Sequence, residues 1–383
     1  MVKEACFFCT SPYQIFSILS ISQNIAGGVD VYVMKQFGKA DEYVDRLALT
    51  GLFDKVIMVD EASFSKNKTK KHNKLWNYMN AAFSYTNVDE LAKNVLLPDI
   101  EYNNFYISSR AYIPRMVQFS LMKKNAKTKY CYFDDGLGSY FNSVYDIKKF
   151  DLILRWLLFR KKKEDFEFDK YLFSPDFYKK TNPENKEVIH AIKPYWNDRD
   201  SLRAINSIFG YTEENAIQQK YILFGEAAGG SKTNSFHDEL EDVFRAILEK
   251  VGRNNTILKN HPRNERPHLP GMSYYTDYNM PFECICFNCD ISNKVLVSLR
   301  STGVITPKML TGQEPFVILL YEMEELSNSQ GNNTISELSQ RFFEAFREVY
   351  NNKEKIFIPK NTEELIDAIN TIEGITSDSI LKD

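Results

Sequence analysis

Residues 5–34 read ACFFCTSPYQIFSILSISQNIAGGVDVYVM, and this stretch decides the fold class. The apolar run Ala5 to Cys9 predicts a buried strand. The residues that follow are typical of a helix that ends at Gly27-Gly28, and Val29 to Met34 predicts a second strand. A strand, a helix and a strand in thirty residues favour an α/β fold with a parallel sheet.

The start of that first helix carries several of the usual signals. Ser11 suits the N-cap, Pro12 suits the first helical position, and Gln14 suits the partner of a capping box. After this strand-helix-strand stretch, Asp41 to Leu49 predicts a helix. Lys55 to Val59 then predicts a third strand. The βαβαβ rhythm in the first sixty residues is typical of a Rossmann-like domain.

Length and composition limit the classes of protein. The chain has 383 residues, 43% of them hydrophobic and 26% charged, which fits two medium-sized globular domains. With 48 basic and 51 acidic residues the net charge is −3, so a globally basic nucleic-acid binder is not expected. Six cysteines without a secretory signal indicate a cytosolic chain. The most apolar stretch, Phe150 to Phe159, is shorter than the roughly 20 residues of a membrane span.

The α/β rhythm resumes in the second half. Strands are expected at Tyr221–Phe224, Thr256–Lys259, Val295–Ser298, Phe316–Leu320 and Ile356–Ile358. We therefore predict an N-terminal Rossmann-like domain over residues 1–150, a connection over 151–190 and a C-terminal Rossmann-like domain over 191–383. Two such halves favour a cleft between them.

Asp134-Asp135-Gly136 follows the predicted strand Lys129 to Phe133. Adjacent side chains leaving a strand point in opposite directions, so one aspartate can face a ligand while the other caps the turn. Gly136 and Gly138 allow a sharp turn and a close approach of the backbone. A catalytic carboxylate and an ordinary Asx turn are both compatible with this pattern.

Two further polar turns follow apolar strands of the second half. His261-Pro262 comes after Thr256–Lys259, and its histidine could donate to a phosphate oxygen or lie on the surface. Ser301-Thr302 precedes a helix predicted from about Val304, where hydroxyls and free N–H groups suit either an anion or plain N-capping.

Pro281-Phe282-Glu283 opens the apolar run Cys284 to Phe287, which we interpret as a strand. A glutamate there could accept hydrogen bonds from a ribose diol, or it could be an exposed strand-edge residue. The turn Gly225 to Gly230 also follows a strand and suits close ligand approach. It matches neither GxGxxG nor the P-loop pattern.

Three segments have less specific patterns. Cys284, Cys286 and Cys289 have CxCxxC spacing, but no fourth ligand is suitably spaced, so buried cysteines are favoured over a zinc site. Lys148 to Lys163 fits a packed helix with a basic flank better than a contact with an anionic bilayer surface. Lys66 to Lys74 is lysine-rich and predicts a solvated loop.

Taken in order, these motifs resemble those of the bacterial GT-B sialyltransferases: an Asp-Asp-Gly step, a His-Pro pair, a Pro-x-Glu segment and a Ser-Thr pair. The similarity is greatest to glycosyltransferase family 52, which decorates lipooligosaccharide and capsule, with the bacterial polysialyltransferases as relatives. Thr10 to Gln14 is also similar to the family 52 opening. Relatives often have Ser-Ser where this chain has Ser301-Thr302, a change that keeps both hydroxyls.

The resemblance implies a GT-B fold, with two Rossmann-like domains facing each other across a cleft. It implies an inverting enzyme that moves sialic acid from CMP-sialic acid to a hydroxyl of a galactose-ended or sialylated glycan. No metal, cofactor or nucleic acid is implied. The expected location is the cytoplasm, with a peripheral contact at the inner face of the plasma membrane. Alternatives are a polysialyltransferase, a hexosyltransferase using another nucleotide sugar, and a non-catalytic binding protein on the same scaffold.

The resemblance also implies roles for single residues. Asp134 would be the general base, with Asp135 in reserve. His261 would contact the CMP phosphate and assist departure of the leaving group, and Glu283 would hold the ribose. The remaining donor-site residues would be Gly225, Gly230, Pro262, Phe282, Ser301 and Thr302.

Overall fold

The computed structural model describes residues 1–60, 88–98, 100–108, 111–124, 127–136, 138–141, 168–184, 187–225, 234–261, 269–277, 279–299, 301–327 and 337–380. The chain divides into two units, Met1–Ile208 and Phe209–Asp383.

The first unit contains a parallel sheet with strand order β3-β2-β1-β4-β5-β6-β7 among the described residues. Its strands are β1 (Val2–Cys9), β2 (Val29–Met34), β3 (Lys55–Val59), β4 (Glu101–Ile107), β5 (Lys129–Phe133), β6 (Asp169–Leu172) and β7 (Ile189–Ala191). Its helices are Pro12–Ser22, Ala40–Leu49, Val88–Val95, Tyr112–Lys124, Gly138–Phe141, Pro175–Thr181 and Arg199–Phe209, the last of which ends at the unit boundary.

The core of the first unit surrounds β1. Residues Ala5 to Cys9 are at most 1% exposed, as expected for a central strand of a parallel sheet covered on both faces. β1 pairs with β2 on one side, with Ala5 opposite Val29, and with β4 on the other. The strand order therefore reverses between β1 and β4, and α/β folds place ligands outside the carboxyl ends at such a reversal.

The second unit contains a smaller parallel sheet with the order β12-β11-β10-β8-β9 among the described residues. Its strands are β8 (Tyr221–Phe224), β9 (Thr256–Lys259), β10 (Val295–Ser298), β11 (Phe316–Leu319) and β12 (Ile356–Phe357). Its α-helices are Asn234–Val251, Phe282–Asn288, Glu324–Ser327, Glu337–Arg347 and Thr362–Ile380. Here the order reverses between β8 and β10, so the carboxyl ends of these strands form the second reversal point.

The α/β class with parallel sheets is confirmed, and three local expectations differ from the structure. The Cys284–Phe287 run belongs to the helix Phe282–Asn288 and is not a strand. The segment after Ser301 forms a 3₁₀ turn, Thr302–Val304, and a π-helical turn, Pro307–Thr311, in place of a regular α-helix.

The third difference concerns the expected connection over residues 151–190. β6 and β7 pair with each other, and β6 pairs with β5, so this part of the chain extends the first sheet. The boundary between the units accordingly falls after Ile208. The segments Lys66–Lys74 and Lys148–Lys163 lie outside the described residues. Within the described part of the chain, no helix is both long and apolar enough to cross a membrane.

Candidate functional site

Asp134 follows β5 and is completely buried. Among the described residues, four donors reach its carboxylate. Oδ1 accepts from the Gly136 N–H at 2.9 Å and the Tyr13 hydroxyl at 3.3 Å. Oδ2 accepts from the Phe173 N–H at 3.2 Å and from the Tyr140 hydroxyl. Burial raises the pKa of Asp134 to about 6, although these donors favour the charged form.

Asp135 has a different environment and is partly exposed. Both hydrogen bonds that the described residues make to its carboxylate fall on Oδ1, from the Ser11 hydroxyl at 3.1 Å and from Gln14 Nε2 at 2.7 Å. Its own N–H donates to Ser139 Oγ at 2.8 Å. Burial raises the pKa of Asp135 above its ordinary value. The two neighbouring aspartates therefore differ in burial: Asp134 is completely buried, whereas Asp135 is partly exposed.

The helix Pro12–Ser22 and its N-cap residue Ser11 supply three of these contacts, which corrects the expected capping box. Ser11 occupies the N-cap with Pro12 at the first position, but its side chain makes no cap hydrogen bond. Gln14 Oε1 accepts from the Thr10 N–H at 2.5 Å, and its Nε2 turns to Asp135. The polar residues that look like a local helix cap therefore fix a carboxylate more than 120 residues away in the chain.

In the second unit, the turns after β8 and β9 lie side by side. The Gly225 N–H donates to the Lys259 carbonyl at 3.0 Å. A Cβ on Gly225 would lie 2.8 Å from Asn260 Oδ1 and 3.6 Å from the His261 nitrogen, so a side chain at this position would collide with the next turn. His261 is half-buried. Pro262 and Gly230 lie outside the described residues.

The Phe224 ring joins two more of the predicted motifs. It packs edge-to-face on Phe282, with ring centroids 5.0 Å apart. A Cβ on Gly303 would lie only 2.6 Å from Cε1 of the same ring. The segment after β10 and the start of the helix Phe282–Asn288 therefore meet at the carboxyl end of β8.

Glu283 lies beside these turns and is 8% exposed. The Thr306 hydroxyl donates to Glu283 Oε1 at 3.3 Å. Burial raises the pKa of Glu283, and the positive charge of Lys259 opposes that shift. Ser301 Oγ accepts from the Gly303 N–H at 3.2 Å, so Ser301 does cap this turn. The Thr302 side chain is not among the described parts of the structure.

The sequence analysis missed Tyr13, Tyr140 and Lys259. Tyrosine is common in this chain. Tyr13 stands in the Thr10–Gln14 segment, but the resemblance gave it no role, and Tyr140 stands in no recognisable motif. Lys259 had a readable signal, since it ends the strand Thr256–Lys259, all four residues of which are buried. A lysine in such a strand requires a partner, because burying an ammonium group alone is costly.

The cysteine pattern does not form a ligand cluster in the described part of the chain. Cys284 and Cys286 are buried in the helix Phe282–Asn288, and burial raises the pKa of both thiols. Among the described residues, no three His, Cys, Asp or Glu side chains are grouped so that they could hold a metal ion.

Comparison with solved structures finds distant similarities. The S. aureus MnaA–UDP structure has 10% identity and a TM-score of 0.42, covering 96% of this chain and 91% of that one. The wall teichoic acid polymerase TagF has 11% identity and a TM-score of 0.39, with coverage of 99% and 90%. E. coli heptosyltransferase WaaC with ADP has 10% identity and a TM-score of 0.32, with coverage of 99% of each chain. At identities and TM-scores this low, the similarities carry no argument about function.

Comparison with protein families is decisive. No curated protein matches the sequence. Residues 6–321 match the family described as Alpha-2,8-polysialyltransferase (POLYST), a span that includes every motif discussed above. The match does not confirm the family 52 assignment. It instead supports the polysialyltransferases, which the sequence analysis named as relatives of family 52. The chain belongs to the alpha-2,8-polysialyltransferase family of glycosyltransferases.

Proposed function

We propose that this protein is an inverting sialyltransferase that transfers sialic acid from CMP-sialic acid to a hydroxyl of a sialylated glycan. The observation that carries the proposal is the family match over residues 6–321, which spans both units. Its support within the second unit is the meeting of the Gly225, His261, Glu283 and Ser301 segments at the carboxyl ends of β8, β9 and β10.

In this proposal the second unit binds the nucleotide. Glu283 accepts hydrogen bonds from the ribose diol, and His261 and Ser301 contact the phosphate. Loss of CMP from sialic acid develops negative charge on the phosphate, and fixed donors at strand and helix ends stabilise that charge. The donors at this place are side chains and main-chain N–H groups of the chain itself.

In this proposal the first unit supplies the general base, and the different burial of the two aspartates supports Asp135 over Asp134 for that role. Asp134 is sealed from solvent and surrounded by four donors, so it cannot approach an acceptor hydroxyl without losing them. Asp135 is partly exposed and is held through Oδ1. We therefore assign proton abstraction to Asp135 and the anchoring of the turn to Asp134. Direct attack by the acceptor then inverts the anomeric carbon.

The family favours a sialylated acceptor and an α2,8 linkage over a galactose-ended acceptor. Elongation of a sialic acid polymer is the corresponding activity, and we propose with it a peripheral location at the inner face of the membrane where such glycans are assembled. A hexosyltransferase or a non-catalytic binding protein would use the same scaffold with different ligands.

The test is release of CMP from CMP-sialic acid in the presence of an α2,8-linked oligosialic acid. A galactose-ended oligosaccharide serves as the second acceptor, and UDP-hexoses serve as control donors. The proposal expects turnover with CMP-sialic acid and the oligosialic acceptor, with longer chains as product. Turnover with a UDP-hexose alone, or CMP binding without any transfer, would contradict it.

A further inference from the structure

Lys259 is a buried lysine that links two segments of the second unit. It is the last residue of β9 and stands two positions before His261. It is 8% exposed, and its Nζ donates to the Met280 carbonyl at 2.9 Å. Met280 directly precedes the Pro281-Phe282-Glu283 segment. One side chain therefore connects the turn that presents His261 to the segment that presents Glu283.

The electrostatic partners of Lys259 are carboxylates. Burial lowers the pKa of Lys259 to about 8, and the negative charges of Glu283 and Asp277 oppose that shift. The Tyr275 ring lies beneath the ammonium group, with its centroid 4.9 Å from Nζ. Glu283 is equally buried, and its hydrogen bond from the Thr306 hydroxyl occupies Oε1. A buried carboxylate stays ionised only where a nearby cation or sufficient donors offset the loss of hydration.

We propose that Lys259 is a positioning residue for the nucleotide: by donating to the Met280 carbonyl it fixes the Met280–Glu283 segment beside the His261 turn, so that the Glu283 carboxylate can accept both ribose hydroxyls. The inference rests on the proposed function, since Glu283 binds a ribose only if the ligand is a nucleotide. Lys259 itself touches no ligand in this account and acts through Glu283. An ionised carboxylate accepts two hydrogen bonds from a diol, whereas a displaced or protonated one loses at least one of them.

The test measures how strongly the protein distinguishes CMP from 2′,3′-dideoxy-CMP, by calorimetric titration. Hydrogen bonds to a charged group favour CMP by roughly 10- to 100-fold in the unaltered protein. Glu283→Gln should remove most of this preference. Lys259→Met should reduce it to a similar extent, and the double variant should lose little more, because both substitutions disable the same contact.

Two further variants separate positioning from a general effect on the fold. Lys294→Met is the matched control, since Lys294 also donates to a main-chain carbonyl, that of Gln218 at 2.8 Å, but precedes β10 at the opposite end of the strand. It should retain the full preference for CMP. Lys259→Arg keeps the positive charge and should retain most of the preference for CMP. If Lys259→Met does not fold, Lys259→Arg is the informative variant in its place.

The outcomes are distinct. The Lys259→Met protein could melt at a lower temperature and still prefer CMP as strongly as the unaltered protein does. That result would show that Lys259 has only a structural role and would overturn the inference. The inference would also be overturned if both Lys259→Arg and Lys294→Met lost the preference for CMP over 2′,3′-dideoxy-CMP. Failure of the unaltered protein to bind CMP at all would instead overturn the proposed function.

Discussion

The two units hold their polar turns in different ways. In the first unit, side-chain hydrogen bonds fix the aspartates, with donors such as Gln14 and Tyr140. In the second unit, close packing fixes the turns, with Gly225 against Asn260 and Gly303 against the Phe224 ring. Loss of a single donor in the first unit therefore changes the hydrogen bonding of one carboxylate. An added methyl group in the second unit instead displaces a whole turn. The difference suits a proton-transfer site on one unit and a fixed nucleotide site on the other.

The largest expected effect separates the two aspartates. Asp135→Asn should lower kcat by about 10²- to 10⁴-fold, the usual contribution of a general base, and leave CMP affinity within a few-fold. Steady-state CMP release and calorimetry check the two quantities. Asp134→Asn is the matched variant and should act mainly on stability. A folded Asp134→Asn protein without turnover, beside an active Asp135→Asn protein, would assign the base to Asp134.

The pKa of Asp134 gives the next prediction. Its pKa is raised from 3.8 to about 6, so burial favours the protonated form in the folded state. The contribution of Asp134 to the free energy of unfolding is fully present below about pH 4 and is lost as pH rises through 6. The change amounts to up to about 3 kcal/mol. We expect the unfolding free energy of the unaltered protein to fall by about that amount, relative to Asp134→Asn, between pH 4 and 7.

Tryptophan fluorescence in urea can measure this change, because Trp196 packs against Phe16 and Phe173 of the first unit and the sequence has no tryptophan in residues 209–383. The comparison with Asp134→Asn subtracts the titration of other groups. A difference between the two proteins that does not vary from pH 4 to 7 would show that Asp134 titrates normally.

The packing of the second unit is tested by Gly303→Ala. The new methyl group would lie 2.6 Å from the Phe224 ring and force it away from Phe282, which should cost about 1–3 kcal/mol of stability and weaken CMP binding. Gly374→Ala is the control, since nothing lies within 4 Å of its added Cβ, and it should stabilise its helix slightly. Unchanged CMP affinity in a stable Gly303→Ala protein would separate this turn from the nucleotide site.

The smallest effect is expected for Tyr140→Phe. The substitution removes one donor from Asp134 and should destabilise the first unit by about 1.5 kcal/mol. It should also raise the pKa of Asp134 further, because the tyrosine hydroxyl favours the charged form. The loss of stability with pH should therefore shift upward in the urea experiment. An unshifted profile would mean that the Tyr140 hydroxyl does not interact with the carboxylate.

The sequence predicted the sheet strands well, because buried parallel strands are short apolar runs ended by polar turns. The run Cys284–Phe287 was misassigned, since periodicity cannot distinguish so short a buried helix from a strand. Pro281 at the N-cap and Glu283 in the first turn were the available signals for a helix. The strands β6 and β7 were missed because they are only four and three residues long, and β6 also contains the charged residues Asp169 and Lys170.

The candidate site residues could be proposed from the sequence where they stand in a local motif. The Asp, His, Glu and Ser positions follow from strand ends and from the family resemblance. The contact between Gln14 and Asp135 could not be predicted, because it joins residues 121 apart in the chain. The same holds for Lys259 and Met280, whose contact depends on the path of the chain between them. Long-range contacts therefore determine how Asp135 and the segment before Glu283 are held.

The central claim is that the turns after β8, β9 and β10 form one nucleotide site. A crystal structure of the protein with CMP bound tests it most directly. The account predicts the ribose hydroxyls within hydrogen-bond distance of Glu283, and the phosphate beside His261 and Ser301. CMP bound elsewhere, or bound at this place with Glu283 turned away from the ribose, would contradict it.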